Sequence, residues 1–318
     1  VHARGPRTLW ARARAENDVA GPKTHLEMIR PPSYRLPEQT RIGRVKLQVA
    51  DLGRSVQYYQ DVIGLRVVNR SGHVATLGAH GDDASPPPLL ELHERRGVSP
   101  VPRRGLLGLY HFAILLPDRP SLGRFLRHIA DLGLSPGMSD HFVSEAIYLQ
   151  DPDNLGIEVY VDRPRSEWKE EDGQLTMTTI PLDVRAVLLA GEGQPWTGAP
   201  AGTRIGHVHL HVGDIPQAEA FYHSALGLDK TVWNYPGALF LSAGGYHHHL
   251  GTNTWTRGAP SASEDDARLL EWELVVPAVS DVEGVAKSLE ANGQPATHES
   301  RGVVTRDPWG TQLRVRSR

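Results

Sequence analysis

The sequence predicts an α+β protein of four tandem units, each a strand, a helix and three further strands, and three observations carry this. The stretch Thr203–Leu228, TRIGHVHLHVGDIPQAEAFYHSALGL, reads as a strand running into a short helix. The same passage occurs at Thr40–Leu65, where Gly43 aligns with Gly206, Asp51 with Asp214, Tyr58 and Tyr59 with Phe221 and Tyr222, and Gly64 with Gly227. Self-similarity at a constant offset is the mark of internal duplication. Two more units, beginning at Gly108 and Leu270, match each other through Pro117 and Pro277, Gly133 and Gly293, and Asp151 and Asp307.

In the strand of the third unit, His207, His209 and His211 fall on one face, and Val208, Leu210 and Val212 on the other. Pro216 suits the first turn of the helix, Ala218, Phe221, Tyr222 and Leu226 form its apolar stripe, and Gly227 closes it. The first unit keeps the strand's amphipathicity but replaces the imidazoles with Arg44, Lys46 and Gln48. Its later strands are expected near Val67–Asn69, His73–Leu77 and Leu89–His93, with Gly81-Asp82-Asp83 and Pro86–Pro88 as the turn before the last.

The second unit runs through the strand LYHFAILLP, a helix over Ser121–Leu132, a strand over Phe142–Leu149 and a closing strand over Gly156–Tyr160. In the third unit, short strands follow at Thr231–Trp233 and Ala238–Leu241, then a strand carrying Tyr246-His247-His248-His249. The fourth has a strand over Leu270–Val276, a helix over Ser280–Ala291 and a closing strand over Gln312–Val315. The expected division is an extension over 1–39, a first domain over 40–163, a linker over 164–202 and a second domain over 203–318. The extension starts with Arg4, Arg7, Arg12 and Arg14, ends in Pro31, Pro32 and Pro37, and lacks apolar periodicity, which predicts poor order.

At 318 residues with ordinary apolar content the chain can build two cores, and its net charge of -3 offers no general attraction for nucleic acid or anionic membrane. It has no cysteine, which removes disulfides, thiolate ligands and cysteine nucleophiles, so a metal would be held by His, Asp or Glu. No apolar run approaches the roughly 20 residues that span a bilayer. The expected setting is cytoplasmic, and self-association into a homo-oligomer is compatible with the sequence.

Over Thr40–Val315 the four units resemble the vicinal-oxygen-chelate superfamily: extradiol dioxygenases, glyoxalase I and bleomycin or fosfomycin resistance proteins. The strings GLYHFAILLPDR, VSEAIYLQDPDNLGIEVYVDRPR, IGHVHLHVGD and ALFLSAGGYHHHLGTNTW are similar, more narrowly, to bacterial two-domain catechol 2,3-dioxygenases. The resemblance implies two domains of paired, cup-like mixed sheets. It also implies a metal between two units, held from the start of each first strand and the middle of each last strand.

Those positions are Arg44, His111, His207 and Glu271 on first strands, and Glu91, Glu158, His248 and Arg314 on last strands. Pairing in chain order would put an arginine beside a dication in each cup, which is unfavourable at low dielectric. Crossed pairing would gather His111, Glu158, His207 and His248 in one cup and leave Arg44, Glu91, Glu271 and Arg314 as a compensated set. Charge sorting favours the crossed arrangement, and a related ring-cleaving subgroup pairs non-consecutive units.

The resemblance makes His111, Glu158 and His207 the metal ligands, a two-His, one-carboxylate set typical of non-haem Fe(II) oxygenases. Fe(II) is the expected ion and Mn(II) its alternative. His248 takes the place of a histidine that assists bound oxygen. Tyr148, ten residues before Glu158, and His141, slightly displaced in its loop, take the proton-transfer places. The implied activity is extradiol cleavage of a catechol-type aromatic diol with O2. The alternatives are a glyoxalase-type isomerase, a metal-dependent thiol-transfer resistance enzyme and a non-catalytic binding protein. Glu158 could also serve structurally, paired with Arg163 or Arg165.

Overall fold

The computed structural model describes residues 29–81, 88–300 and 302–318. The first unit comprises β1 (Arg41–Val49), α1 (Leu52–Asp61), β2 (Arg66–Ser71), β3 (Val74–Gly78) and β4 (Leu90–Glu94). The second comprises β5 (Gly108–Leu115), α2 (Arg119–Asp131), β6 (Gly137–Asp140), β7 (Ser144–Gln150) and β8 (Gly156–Asp162). A connecting segment carries the hairpin β9 (Glu170–Glu171) and β10 (Gln174–Leu175), then α3 (Val184–Ala190).

The third unit comprises β11 (Arg204–His211), α4 (Ile215–Ala218, continued by a π-helical turn over Glu219–Ala225), β12 (Asp229–Val232), β13 (Ala238–Ser242) and β14 (Leu250–Asn253). The fourth comprises β15 (Arg268–Val276), α5 (Val279–Ala291), β16 (Thr297–Glu299), β17 (Gly302–Arg306) and β18 (Gln312–Ser317).

Local chemistry sets the strand-to-helix corners. Asp51, Asp118 and Asp214 each accept a hydrogen bond from the backbone N–H three residues on, at 2.8–2.9 Å. In the fourth unit the corner residue is Ala278, and Asp281 reaches back to accept from its N–H at 2.9 Å. Gly64, Gly133, Gly227 and Gly293 follow the four helices with positive φ, the left-handed turn glycine makes without a steric cost.

The strands form two eight-stranded sheets, in the orders β16-β17-β18-β15-β1-β4-β3-β2 and β12-β13-β14-β11-β5-β8-β7-β6. Each unit pairs its first and last strands in parallel, and units join through antiparallel first strands, β1 with β15 and β5 with β11. Unit two therefore faces unit three, and unit one faces unit four. Each sheet takes one unit from either side of the connecting segment. Units one and two, and units three and four, are tied instead by buried tyrosines: Tyr59 donates to Asp151 at 3.1 Å, and Tyr222 to Asp307 at 2.8 Å. Phe112, Ile114, Val208, Leu210 and Val212 belong to one core that all four units share.

Several expectations change. The histidine run 247–249 precedes β14 and lies outside any strand, after the turn that Gly244 and Gly245 make with positive φ. The segment 164–202 is structured. The end of the expected extension is packed: Leu36 is buried, its N–H bonds the Gly227 carbonyl at 2.8 Å, and Arg35 pairs with Asp229. Residues 1–28, with the basic run, lie outside the described residues, as does most of the expected turn at 81–88.

Both seams bulge at the duplicated glycine, between Ile42 and Val45 and between Ile205 and His207. A Cβ on Gly206 would lie 1.8 Å from the Tyr160 hydroxyl of the facing unit. Gly206→Ala should therefore cost about 1–3 kcal/mol of stability in urea unfolding, as overpacking does. Adding Tyr160→Phe should return part of that loss. Strictly additive losses would show that the hydroxyl is not what the methyl meets.

Candidate metal centre

The seam between β5 and β11 sets two histidine-bearing strands side by side. Across it His209 stands opposite His111 and His207 opposite Ala113, while β8 places Glu158 opposite the other side of Ala113. Opposed residues in neighbouring strands project from one face. The donors therefore share the inner face of one sheet, with the small Ala113 leaving room between them.

His111 Nε2 lies 3.0 Å and His207 Nε2 3.1 Å from the same Glu158 oxygen, and the two nitrogens are 3.4 Å apart. All three side chains are buried. Burial lowers His207 to about 4, which leaves it neutral at neutral pH. Burial alone would push the Glu158 carboxyl up, but His207 and His111 beside it hold it well below the usual range. One carboxylate and neutral imidazole therefore converge on a point, a donor set that suits a divalent cation without sulfur. Three donors about 2.1 Å from an ion on mutually adjacent octahedral positions stand about 3 Å apart, as these do. The residues fit such an ion.

The other predicted residues line the same space. Tyr148 stands opposite Glu158 across β7 and β8, and its hydroxyl is 2.6 Å from His141 Nε2. His141 Nδ1 is 2.6 Å from the Thr178 carbonyl, which only accepts, so Nδ1 carries the proton and Nε2 receives the Tyr148 hydroxyl. Burial, and then the Glu158 charge, raise Tyr148 well above the phenol range, so it keeps its proton. His248 sits just before β14 with its ring 4.1 Å from that of His207 and 5.0 Å from Phe240. Burial keeps it neutral. Arg163, a candidate partner for Glu158, pairs with Asp140 and Glu145 instead.

The pocket above the donors is about 290 Å³. Its walls include residues the sequence reading did not single out: Tyr110, Tyr235, Phe240 and Trp255, and Met177 and Thr178 from the connecting segment. Tyr110 is recognisable only from its place beside His111; no periodicity marks the others.

The opposite sheet has no such cluster among the described residues. Arg44 contacts Glu91 and Glu273, Lys46 and Arg314 contact Glu271 at 2.7 and 3.0 Å, and Arg316 contacts Glu273 at 3.2 Å. The compensated set is wider than predicted, because Lys46, Glu273 and Arg316 join it. Burial opposes the Glu271 charge, yet Arg314 and Lys46 hold its carboxyl at about 2.

The sequence matches the family model for the Glyoxalase/Bleomycin resistance protein/Dioxygenase superfamily over residues 41–159 and 204–315, and the chain belongs to that superfamily. It is 42% identical over 275 residues to a Bacillus subtilis (strain 168) protein named catechol-2,3-dioxygenase, spanning 85% of this chain and 95% of that one. This makes it a catechol-2,3-dioxygenase-like enzyme. Among solved structures, a provisionally assigned dioxygenase from Bacillus subtilis superposes with a TM-score of 0.61 at 14% identity, over 90% of this chain and 86% of the other. A variant of glyoxalase I from Zea mays gives 0.53 at 16% identity, over 87% and 94%. These two show the shared fold. Among the described residues no helix is long and apolar enough to cross a membrane.

The histidine run makes acid sensitivity local. Burial lowers His249 to about 3, and its Nδ1 accepts the Ala243 N–H at 3.2 Å. The unfolded chain binds a proton near pH 6.5 and the folded chain does not, so this stability is whole above 6.5 and is lost as pH falls toward 3. Below 6.5, wild type should lose about 1.4 kcal/mol per pH unit more than His249→Leu in chemical unfolding. Parallel curves for the two would remove His249 as the cause.

Proposed function

We propose that this enzyme is an extradiol ring-cleaving dioxygenase that opens a catechol with O2 at a metal held by His111, Glu158 and His207. The observation that carries the proposal is the convergence of these three donors beneath an aromatic-walled pocket. His111, Glu158 and His207 would hold Fe(II), or Mn(II) in its place, and the bound ion would supply activation of the diol and of oxygen.

The chain's own residues do the rest. Tyr110, Tyr235, Phe240 and Trp255 offer the flat apolar surfaces that hold an aromatic ring and limit water. The Tyr148–His141 pair, fixed through the Thr178 carbonyl, is the route by which a proton leaves or returns to the diol side. His248, on the opposite wall, is the hydrogen-bonding partner for the oxygen reactant. A glyoxalase-type site uses four protein ligands. The candidate cluster among the described residues has three, which favours the dioxygenase reading.

Anaerobic loading with Fe(II), followed by catechol and air, should give oxygen uptake, a coloured ring-opened product and about one metal per chain. A stoichiometric Zn or Ni site without oxygen uptake after iron loading would move the enzyme to the glyoxalase class. His207→Ala should lose metal and turnover together. His248→Ala should keep its metal and lose about 10²-fold in kcat. Equal metal loss in both variants would show that His248 is a ligand.

A further inference from the structure

Behind His248 lies a chain of polar groups, buried except for the half-buried Asp162, that the reaction as described does not use. Glu158, Tyr160 and Asp162 alternate along β8 and so project from one face. Asp162 Oδ1 lies 2.9 Å from His247 Nε2 and 3.0 Å from the Tyr246 hydroxyl. The Tyr160 and Tyr246 hydroxyls are 2.6 Å apart, and His247 Nδ1 is 2.7 Å from His248 Nδ1. His247 is fully buried, its ring packed against those of Tyr246 and Trp168.

The proton positions follow from donor and acceptor chemistry. A carboxylate only accepts, so His247 Nε2 and Tyr246 both donate to Asp162, and Tyr160 then donates to Tyr246. A neutral His247 holding its proton on Nε2 has a bare Nδ1. The contact between the two Nδ1 atoms needs one proton, and His248 must supply it. A doubly protonated His247 would reverse the direction and leave His248 as the Nε2–H tautomer.

We infer that Asp162 and His247 are positioning residues that lock His248 as the Nδ1–H tautomer, with a bare Nε2 turned to the pocket. This rests on the proposed reading of the site and refines it. At rest His248 meets a pocket ligand as a hydrogen-bond acceptor, so it becomes the donor that the oxygen reactant requires only after its Nε2 has taken a proton from the substrate side. The sequence spells the neighbours His247 and His248 alike, and only their partners distinguish them.

The tautomer is read directly by long-range 1H–15N correlation on the metal-free, 15N-histidine-labelled full chain, with His248→Gln assigning the signal. The Nδ1–H pattern is expected for His248 in wild type. Asp162→Ala frees His247 to change tautomer, and His247→Phe removes the acceptor, so in either variant His248 should shift toward Nε2–H or a mixture. In the iron-loaded enzyme, Asp162→Ala should lower kcat about 10-fold or more with KM and metal content unchanged. An Nε2–H His248 in wild type, or a tautomer indifferent to both substitutions, overturns the inference. Should the variants fail to fold, the wild-type spectrum still decides. A wild-type enzyme that binds iron and consumes no oxygen with catechol would sink the dioxygenase reading and leave the tautomer result standing.

Discussion

The antiparallel ladder between β5 and β11 is the contact on which the site depends. It is made between units separated by the whole connecting segment, and it alone brings His111 and His207 to one inner face. Were β5 paired with β1, each histidine would face an arginine-bearing strand and the donors would be a domain apart. The glycine at the bulge makes the ladder possible in both seams, because Tyr160 and Glu273 occupy the space where any side chain at Gly206 or Gly43 would stand. The register also puts Ala113 between His207 and Glu158, so the smallest practicable side chain lies under the point where the donors meet.

One scaffold thus carries two electrostatic solutions. In the sheet of units two and three, burial strips His207 and His248 of charge and leaves the Glu158 carboxylate beside them. In the sheet of units one and four, arginine and lysine meet glutamates in a set of ion pairs, and the described residues form no metal-holding cluster there. Buried charge is tolerated only when paired or bound to a metal. Duplication kept the fold, and the two cups diverged to the two ways of meeting that condition.

The connecting segment has a part in this beyond joining halves. The residues that follow its hairpin line the pocket, where the Thr178 carbonyl fixes the tautomer of His141 and so the direction of the bond from Tyr148. Gln174 in the same segment accepts from the backbone N–H groups of Trp233 and Asn234, which anchors the segment to unit three. A backbone carbonyl can orient a histidine as firmly as a side chain, and it leaves no trace in residue type.

The sequence by itself determined the four units, their closing glycines, and the apolar backs of the first strands. Each is a local matter: alternation fixes a strand's face, and a cap needs only its own helix end. The resemblance to the superfamily marked His111, Glu158, His207 and His248 as site candidates, and charge sorting pointed to the crossed partners. Only the tertiary structure decided what depends on groups distant along the chain. It placed Lys46, Glu273 and Arg316 in the compensated cup, brought Thr178 and the aromatic walls to the pocket, and set His247 against Asp162. These contacts join loops and strand ends from different units, where no periodicity operates, so their identity is fixed by packing and not by any pattern a single segment carries.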